Sequence, residues 1–204
     1  MAFLFTQKQN IRTHIGGRLI NFSIYFKTPF EQLIEDEYRS KGVLTAADLD
    51  IQVIALLFHV EIVYYNGVSC SDNDMRVIFL NRYDDLFKQT MIFFHELCHV
   101  LRHAGDQRRM PQLFKQLQEN EAEMFSLYST MPFFMIEKIN FSQFEAESIG
   151  MIAKEFQFPS QFAQLRLKQI TERIAEAEFM SAFVYTATTM DENMYISSST
   201  LNIQ

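Results

Sequence analysis

At 204 residues with 48% hydrophobic side chains, the chain can bury one sizeable core, or one core with a small satellite, without disulfides or oligomerisation to make up a deficit. Its net charge of -7 argues against holding nucleic acid by phosphate neutralisation, so direct nucleic-acid binding is not expected. Only two cysteines occur, Cys70 and Cys98, which excludes a disulfide framework and a four-cysteine zinc site and suits a reducing, cytoplasmic setting.

The 21 Phe and 11 Met beside 6 Gly and 4 Pro point to a helix-rich fold with an adaptable core. The opening apolar stretch, Ala2 to Phe5, turns polar at Thr6 and lacks the length of a secretion signal. Arg18 to Phe26 leans towards strand. Pro29 opens a helix through Tyr38 that closes near Gly42. Thr45 reads as the cap of the next, with Asp48 at its third position and Leu49, Val53, Leu56 and Leu57 at helical spacing. Val60 to Tyr65, the Asn66-Gly67 turn and Met75 to Leu80 predict a small sheet. Val53 to Tyr65 is the strongest apolar run, but His59 and Glu61 interrupt it, and it is shorter than the roughly 18 residues of a membrane helix. No membrane partner is expected.

Asp84 or Asp85 can cap a helix that runs to about His103 and stops before Gly105. Pro111 suits the first turn of the following helix, which continues through Tyr128 until Pro132 forbids it. Gln143 to Phe156 and Ser160 to about Met180 are helical, broken at Phe158-Pro159, and Asp191 to Gln204 is a polar tail. The expected organisation is a domain over 1–138, a helical region over 139–180 and a tail over 181–204.

The chemistry lies between Thr90 and His103, a segment apolar around most of its circumference and therefore largely buried as a helix. Imidazoles and a carboxylate placed there need partners. His95 and His99 fall one turn apart on one face, so both rings can reach one tetrahedral ion, with Glu96 beside them. Zinc with three protein ligands lowers the pKa of its bound water to about 7, and a nearby carboxylate can accept the proton as water attacks an amide. Glu96 is placed for that catalytic role. Zinc is the expected cofactor, one ion, with manganese as the alternative.

The third ligand should come from the next helix, which offers Glu119, Glu121 and Glu123. Glu119 and Glu123 share a face with the small residues Ala122 and Ser126, while Glu121 points elsewhere. Their spacing fits Glu119 as ligand and Glu123 as the group that orients a ligand imidazole from behind. The bland alternative is a solvated acidic face. His103, about 80° around the helix from His95, competes as a ligand but is better placed behind the ligands or towards the substrate. Cys98 reads as helix packing.

From His95 to Pro132 the chain resembles the ImmA/IrrE family of bacterial and phage metallopeptidases, whose His-Glu-x-x-His helix is followed by a helix ending in Met-Pro. The second signature reads here as Glu119-Asn-Glu-Ala-Glu-Met-Phe125 and then Met131-Pro132; Tyr128, Ser129 and Thr130 depart from the usual run, and Cys98 stands where Gly is common. Ile54 to Tyr64 and Ile78 to Asn81 resemble the family's elements before the catalytic helix. Ile152 to Pro159 and Arg166-Leu167 are similar to its C-terminal region, which resembles a helix-turn-helix. The resemblance implies an α+β fold: a compact zincin-like domain with a small sheet, an active-site helix and a glutamate-bearing helix, plus a C-terminal helical bundle. It also implies a substrate, since members cleave helix-turn-helix repressors at a specific peptide bond. Arg76 to Leu80 could align such a substrate by strand addition or equally be an ordinary core strand.

Two other functions compete. One is a DNA-binding or regulatory module with a structural or vestigial metal site, reading through Gln143 to Met180, where Arg166, Lys168 and Arg173 supply basic character. The other is an unrelated metal-dependent hydrolase carrying the same motif.

Overall fold

The computed structural model describes residues 12–103 and 110–200, with side chains as far as 183. The apolar opening Ala2 to Phe5, the helix stop at Gly105 and residues 201–204 of the tail lie outside them. The architecture is α+β, and the chain groups into two compact units.

The larger unit takes in residues 27–140 and 149–163. Helix α1, Pro29–Ser40, starts at a capping box in which Thr28 accepts from the Glu31 amide and Glu31 accepts from the Thr28 amide. It ends at Lys41, and Gly42 follows at φ 79°, where a side chain would be strained. Thr45 and Asp48 cap only a 3-10 turn, Ala46–Asp48, and not the long helix that their spacing predicts. Asp50 then caps a separate helix, α2, Ile51–Leu57, by accepting from the Gln52 and Val53 amides. This later start turns the buried stripe to Ile51, Ile54 and Ala55. Val53 and Leu56, expected inside, are exposed at 45% and 75%.

Three strands form the sheet: β3, Glu61–Tyr65; β4, Cys70–Asp72; and β5, Val77–Asn81. Their order is β3-β5-β4, with β5 parallel to β3, Glu61 opposite Val77, and antiparallel to β4, Ser71 opposite Ile78. The predicted second segment is therefore central, with both of its edges hydrogen-bonded. It cannot receive a further strand, which corrects the expectation that Arg76 to Leu80 aligns a substrate. The strand β4 that takes one edge of β5 has too few apolar residues to stand out in the sequence.

Helix α3, Leu86–Arg102, packs on β4 and β5, and α4, Gln112–Thr130, packs on α3. Pro111 stands one residue before α4. After Met131-Pro132 the short helix α5, Phe133–Ile136, is entirely buried. Each such side chain contributes about 1.5–3 kcal/mol. Tyr38 of α1 donates to the Ser129 carbonyl at 3.1 Å, tying α1 to the end of α4. The core thus packs α3 between the sheet and α4, with α1 against α4.

The smaller unit takes in the described parts of 1–26, 141–148 and 164–204. Strands β1, Arg12–Ile15, and β2, Arg18–Asn21, pair antiparallel around Gly16 and Gly17, whose φ of 60° and 77° suits a two-residue hairpin turn. The strand expected through Phe26 ends at Asn21, because the Asn21 side chain accepts from the amide and hydroxyl of Ser23 and starts a 3-10 turn. The last two helices are α6, Glu145–Phe156, and α7, Ser160–Thr200; α7 continues through most of the segment expected as a tail. Within this unit Arg173 donates to the Tyr25 hydroxyl at 2.8 Å, Arg18 pairs with Glu178 at 2.7 Å, and Arg166 is fully buried against Gln169. No helix among the described residues is long and apolar enough to cross a membrane.

Candidate metal centre

Asp85 caps α3 by accepting from the Lys88 amide at 2.8 Å, and Asp84 pairs with Lys88 at 2.7 Å. Phe93, Phe94, Leu97 and Cys98 are fully buried, so the helix cannot rotate without exposing them. That fixes the face carrying His95 and His99. The two Nε2 atoms stand 3.1 Å apart, and Glu119 of α4 places Oε2 3.2 Å from His95 Nε2 and Oε1 3.8 Å from His99 Nε2. One ligand atom from each of the three lies within 4.8 Å of the others.

These spacings match one small divalent ion. Bonds of about 2.0–2.2 Å to a tetrahedral zinc set donor atoms about 3.3–3.6 Å apart. A hydrogen bond alone accounts poorly for the cluster, since a single proton on His95 Nε2 cannot be aimed at both Glu119 and His99. Burial, and then repulsion from His95, pushes the His99 imidazolium down to about 4 against the pull of Glu119. His99 is neutral at pH 7 and offers a lone pair.

Glu96 lies beside the cluster, and its Oε2 accepts from the Ser71 hydroxyl of β4 at 2.6 Å. An open cleft of roughly 460 Å³ adjoins it, lined by Val68, Ser69, Asn81, Ile92, His95 and Glu96 among others. This is within the size range of ligand sites. Cys98 faces the core with its thiol pushed up to about 12, chiefly by burial, and is packing as expected.

The acidic residues of α4 divide differently from the expectation. Gln118, Ala122, Phe125 and Ser126 form its buried stripe. At about 100° per residue, Glu119 and Glu121 lie on opposite flanks, each roughly 80° from the middle of that stripe, and Glu123 lies roughly 115° away. Glu123 is accordingly exposed, with no hydrogen bond or ion pair among the described residues, so it orients neither imidazole here. Glu121, expected to point elsewhere, accepts from Arg102 Nε at 2.6 Å and sits 3.2 Å from His103 Nε2. Burial opposes ionisation of Glu121, but the bonds from Arg102 and His103 outweigh it and hold the carboxyl below its usual range. His103 is buried, and its Nδ1 meets His99 Nδ1 at 2.7 Å. It stands behind His99 and outside the ligand cluster.

Ser71 and Glu121 are the two residues that the sequence reading missed. Measuring the α4 wheel from its buried stripe, and not from Glu119, finds Glu121. Nothing local marks Ser71, which only the β4–β5 register brings to Glu96.

The family model of the IrrE N-terminal-like domain, Peptidase M78, matches residues 46–168, which include the whole cluster. The chain is similar to the phage-like element PBSX protein XkdA of Bacillus subtilis (strain 168), 31% identical over 182 residues, 89% of this chain and 88% of that protein. It is also similar to the uncharacterized protein YqaB of the same organism, 22% identical over 157 residues, 76% of this chain and 91% of that protein.

Proposed function

Because the chain belongs to the IrrE N-terminal-like peptidase family, we propose that it is a zinc-dependent endopeptidase that cuts a specific peptide bond in a partner helix-turn-helix repressor. The observation that carries this reading is the convergence of His95, His99 and Glu119 beside Glu96, in a cleft open to substrate. Zinc held by those three would supply the positive charge that acidifies a water molecule and polarises the scissile carbonyl. Every other part comes from the chain.

Glu96 is the general base. Ser71 holds its Oε2, leaving Oε1 to take the proton from water and pass it to the leaving amine. The outer edge of β4, unpaired among the described residues, is the place for an extended substrate segment, since β5 is already bonded on both sides. The name of one relative, a protein of a phage-like element, supports a setting of that kind for this chain. A repressor substrate places the activity in the cytoplasm. The DNA-reading alternative loses support because Arg166 is buried and Arg173 is bonded to Tyr25.

The deciding experiment incubates the zinc-loaded protein with a helix-turn-helix repressor from the same genetic element. Cleavage at one bond, abolished by a chelator and by Glu96→Gln, is expected. An intact repressor, with wild type and Glu96→Gln indistinguishable, overturns the reading.

A further inference from the structure

Behind the ligands runs a chain of polar contacts that the peptidase reading does not require. Glu121 Oε2 lies 3.2 Å from His103 Nε2, and His103 Nδ1 lies 2.7 Å from His99 Nδ1. Beyond that ring, His99 Nε2 faces the cluster, 3.1 Å from His95 Nε2. Both imidazoles are buried, with side chains only 6–7% exposed, so their ring nitrogens depend on protein groups for hydrogen-bond partners.

The order of protons along this chain is determined by its acidic end. An ionised carboxylate only accepts, so His103 Nε2 carries a proton. With its one proton on Nε2, His103 has a bare Nδ1 that accepts in the short Nδ1–Nδ1 contact, and His99 is the donor. A neutral His99 protonated at Nδ1 presents a lone pair at Nε2, where the metal belongs. The opposite tautomer puts a proton there and blocks the metal.

The relay is held from several sides. Arg102 Nε bonds the other oxygen of Glu121 at 2.6 Å and stacks over the Phe30 ring at 4.8 Å, so the carboxylate stays ionised and in place. Asn73, in the turn between β4 and β5, donates to the His103 carbonyl at 2.8 Å, and the His103 amide donates to His99 O at 3.1 Å. Backbone and ring of His103 are therefore both anchored at the helix end.

We propose that Glu121 and His103 are positioning residues that hold His99 in the tautomer with its proton on Nδ1 and its Nε2 lone pair directed at the metal position. This rests on the metal-centre reading above. It assigns no catalytic role to either residue, since neither reaches the cleft.

The test reads imidazole ¹⁵N shifts in the metal-free protein and zinc affinity by chelator competition, in wild type, His103→Phe and His103→Gln. In wild type, His99 is expected as the Nδ1–H form and His103 as the Nε2–H form. His103→Phe fills the space without an acceptor; it should mix the His99 tautomers and weaken zinc binding about 10–100-fold. His103→Gln can accept from His99 and donate to Glu121, and should recover part of both. A proton on Nε2 of His99 in wild type overturns the relay. So does undiminished zinc affinity in a folded His103→Phe protein. If wild type binds no zinc, the metal-centre reading fails, while the tautomers of the metal-free protein still decide the relay.

Discussion

The two ends of the α3–α4 seam contain the same chemistry, imidazoles and carboxylates, but satisfy it differently. At the Arg102 end, Glu121 has a cation on one oxygen and a ring nitrogen on the other, so its bonds are complete. At the His95 end, two ring nitrogens and a carboxylate oxygen converge within 4.8 Å of one another with no arginine or lysine in the group. Charge balance thus separates a support from a binding site more clearly than residue type does.

The strongest way to break this contrast is to remove a ligand from the crowded end. His95→Ala and Glu119→Ala should each abolish stoichiometric zinc binding by metal analysis, whereas a protein that keeps its zinc after either change has its ligands elsewhere. Glu96→Gln comes next. It should retain zinc yet lose about 10²–10⁴-fold in kcat, the usual contribution of a general base. Ser71→Ala removes a hydrogen bond to a charged group, worth about 1.5–3 kcal/mol in general. It should lower kcat by roughly tenfold with zinc affinity unchanged, which steady-state kinetics on the repressor will measure.

Acid sharpens the same contrast in the metal-free protein. His99 titrates at about 4 when folded and near its ordinary value of 6.5 when unfolded, so between those values the unfolded chain binds more protons. Its contribution to stability is complete above 6.5 and is lost as pH falls towards 4. Melting temperatures at pH 7 and pH 5 should fall less in His99→Gln than in wild type. The smallest effect belongs to Glu123→Gln, which should leave melting within about 0.5 kcal/mol and zinc affinity as in wild type, because the side chain is exposed and has no hydrogen bond or ion pair among the described residues.

How legible each part was follows from the range of the forces that decide it. His95, Glu96 and His99 could be read directly because helical periodicity alone places residues four apart on one face. The same periodicity misplaced α2: capping at Thr45 and capping at Asp50 differ by five residues, and that offset turns a different stripe inwards. Spacing counted from Glu119 favours Glu123 over Glu121, whereas the buried stripe of α4 decides which flanks face α3. The place of β4 was hidden because a strand of three residues carries almost no pattern.

By itself, the sequence determined the α+β class of the fold, the helix that carries His95, Glu96 and His99, and the helix that brings Glu119 to them. Local backbone hydrogen bonding and the burial of apolar stripes act over a few residues, and these features need nothing more. Only the tertiary structure decided that Ser71 bonds Glu96, that Glu121 and not Glu123 meets His103, and that β5 is paired on both sides while β4 stands at the edge of the sheet among the described residues. Those depend on strand order and on the angle at which α4 meets α3, which are set by packing between segments distant in the chain.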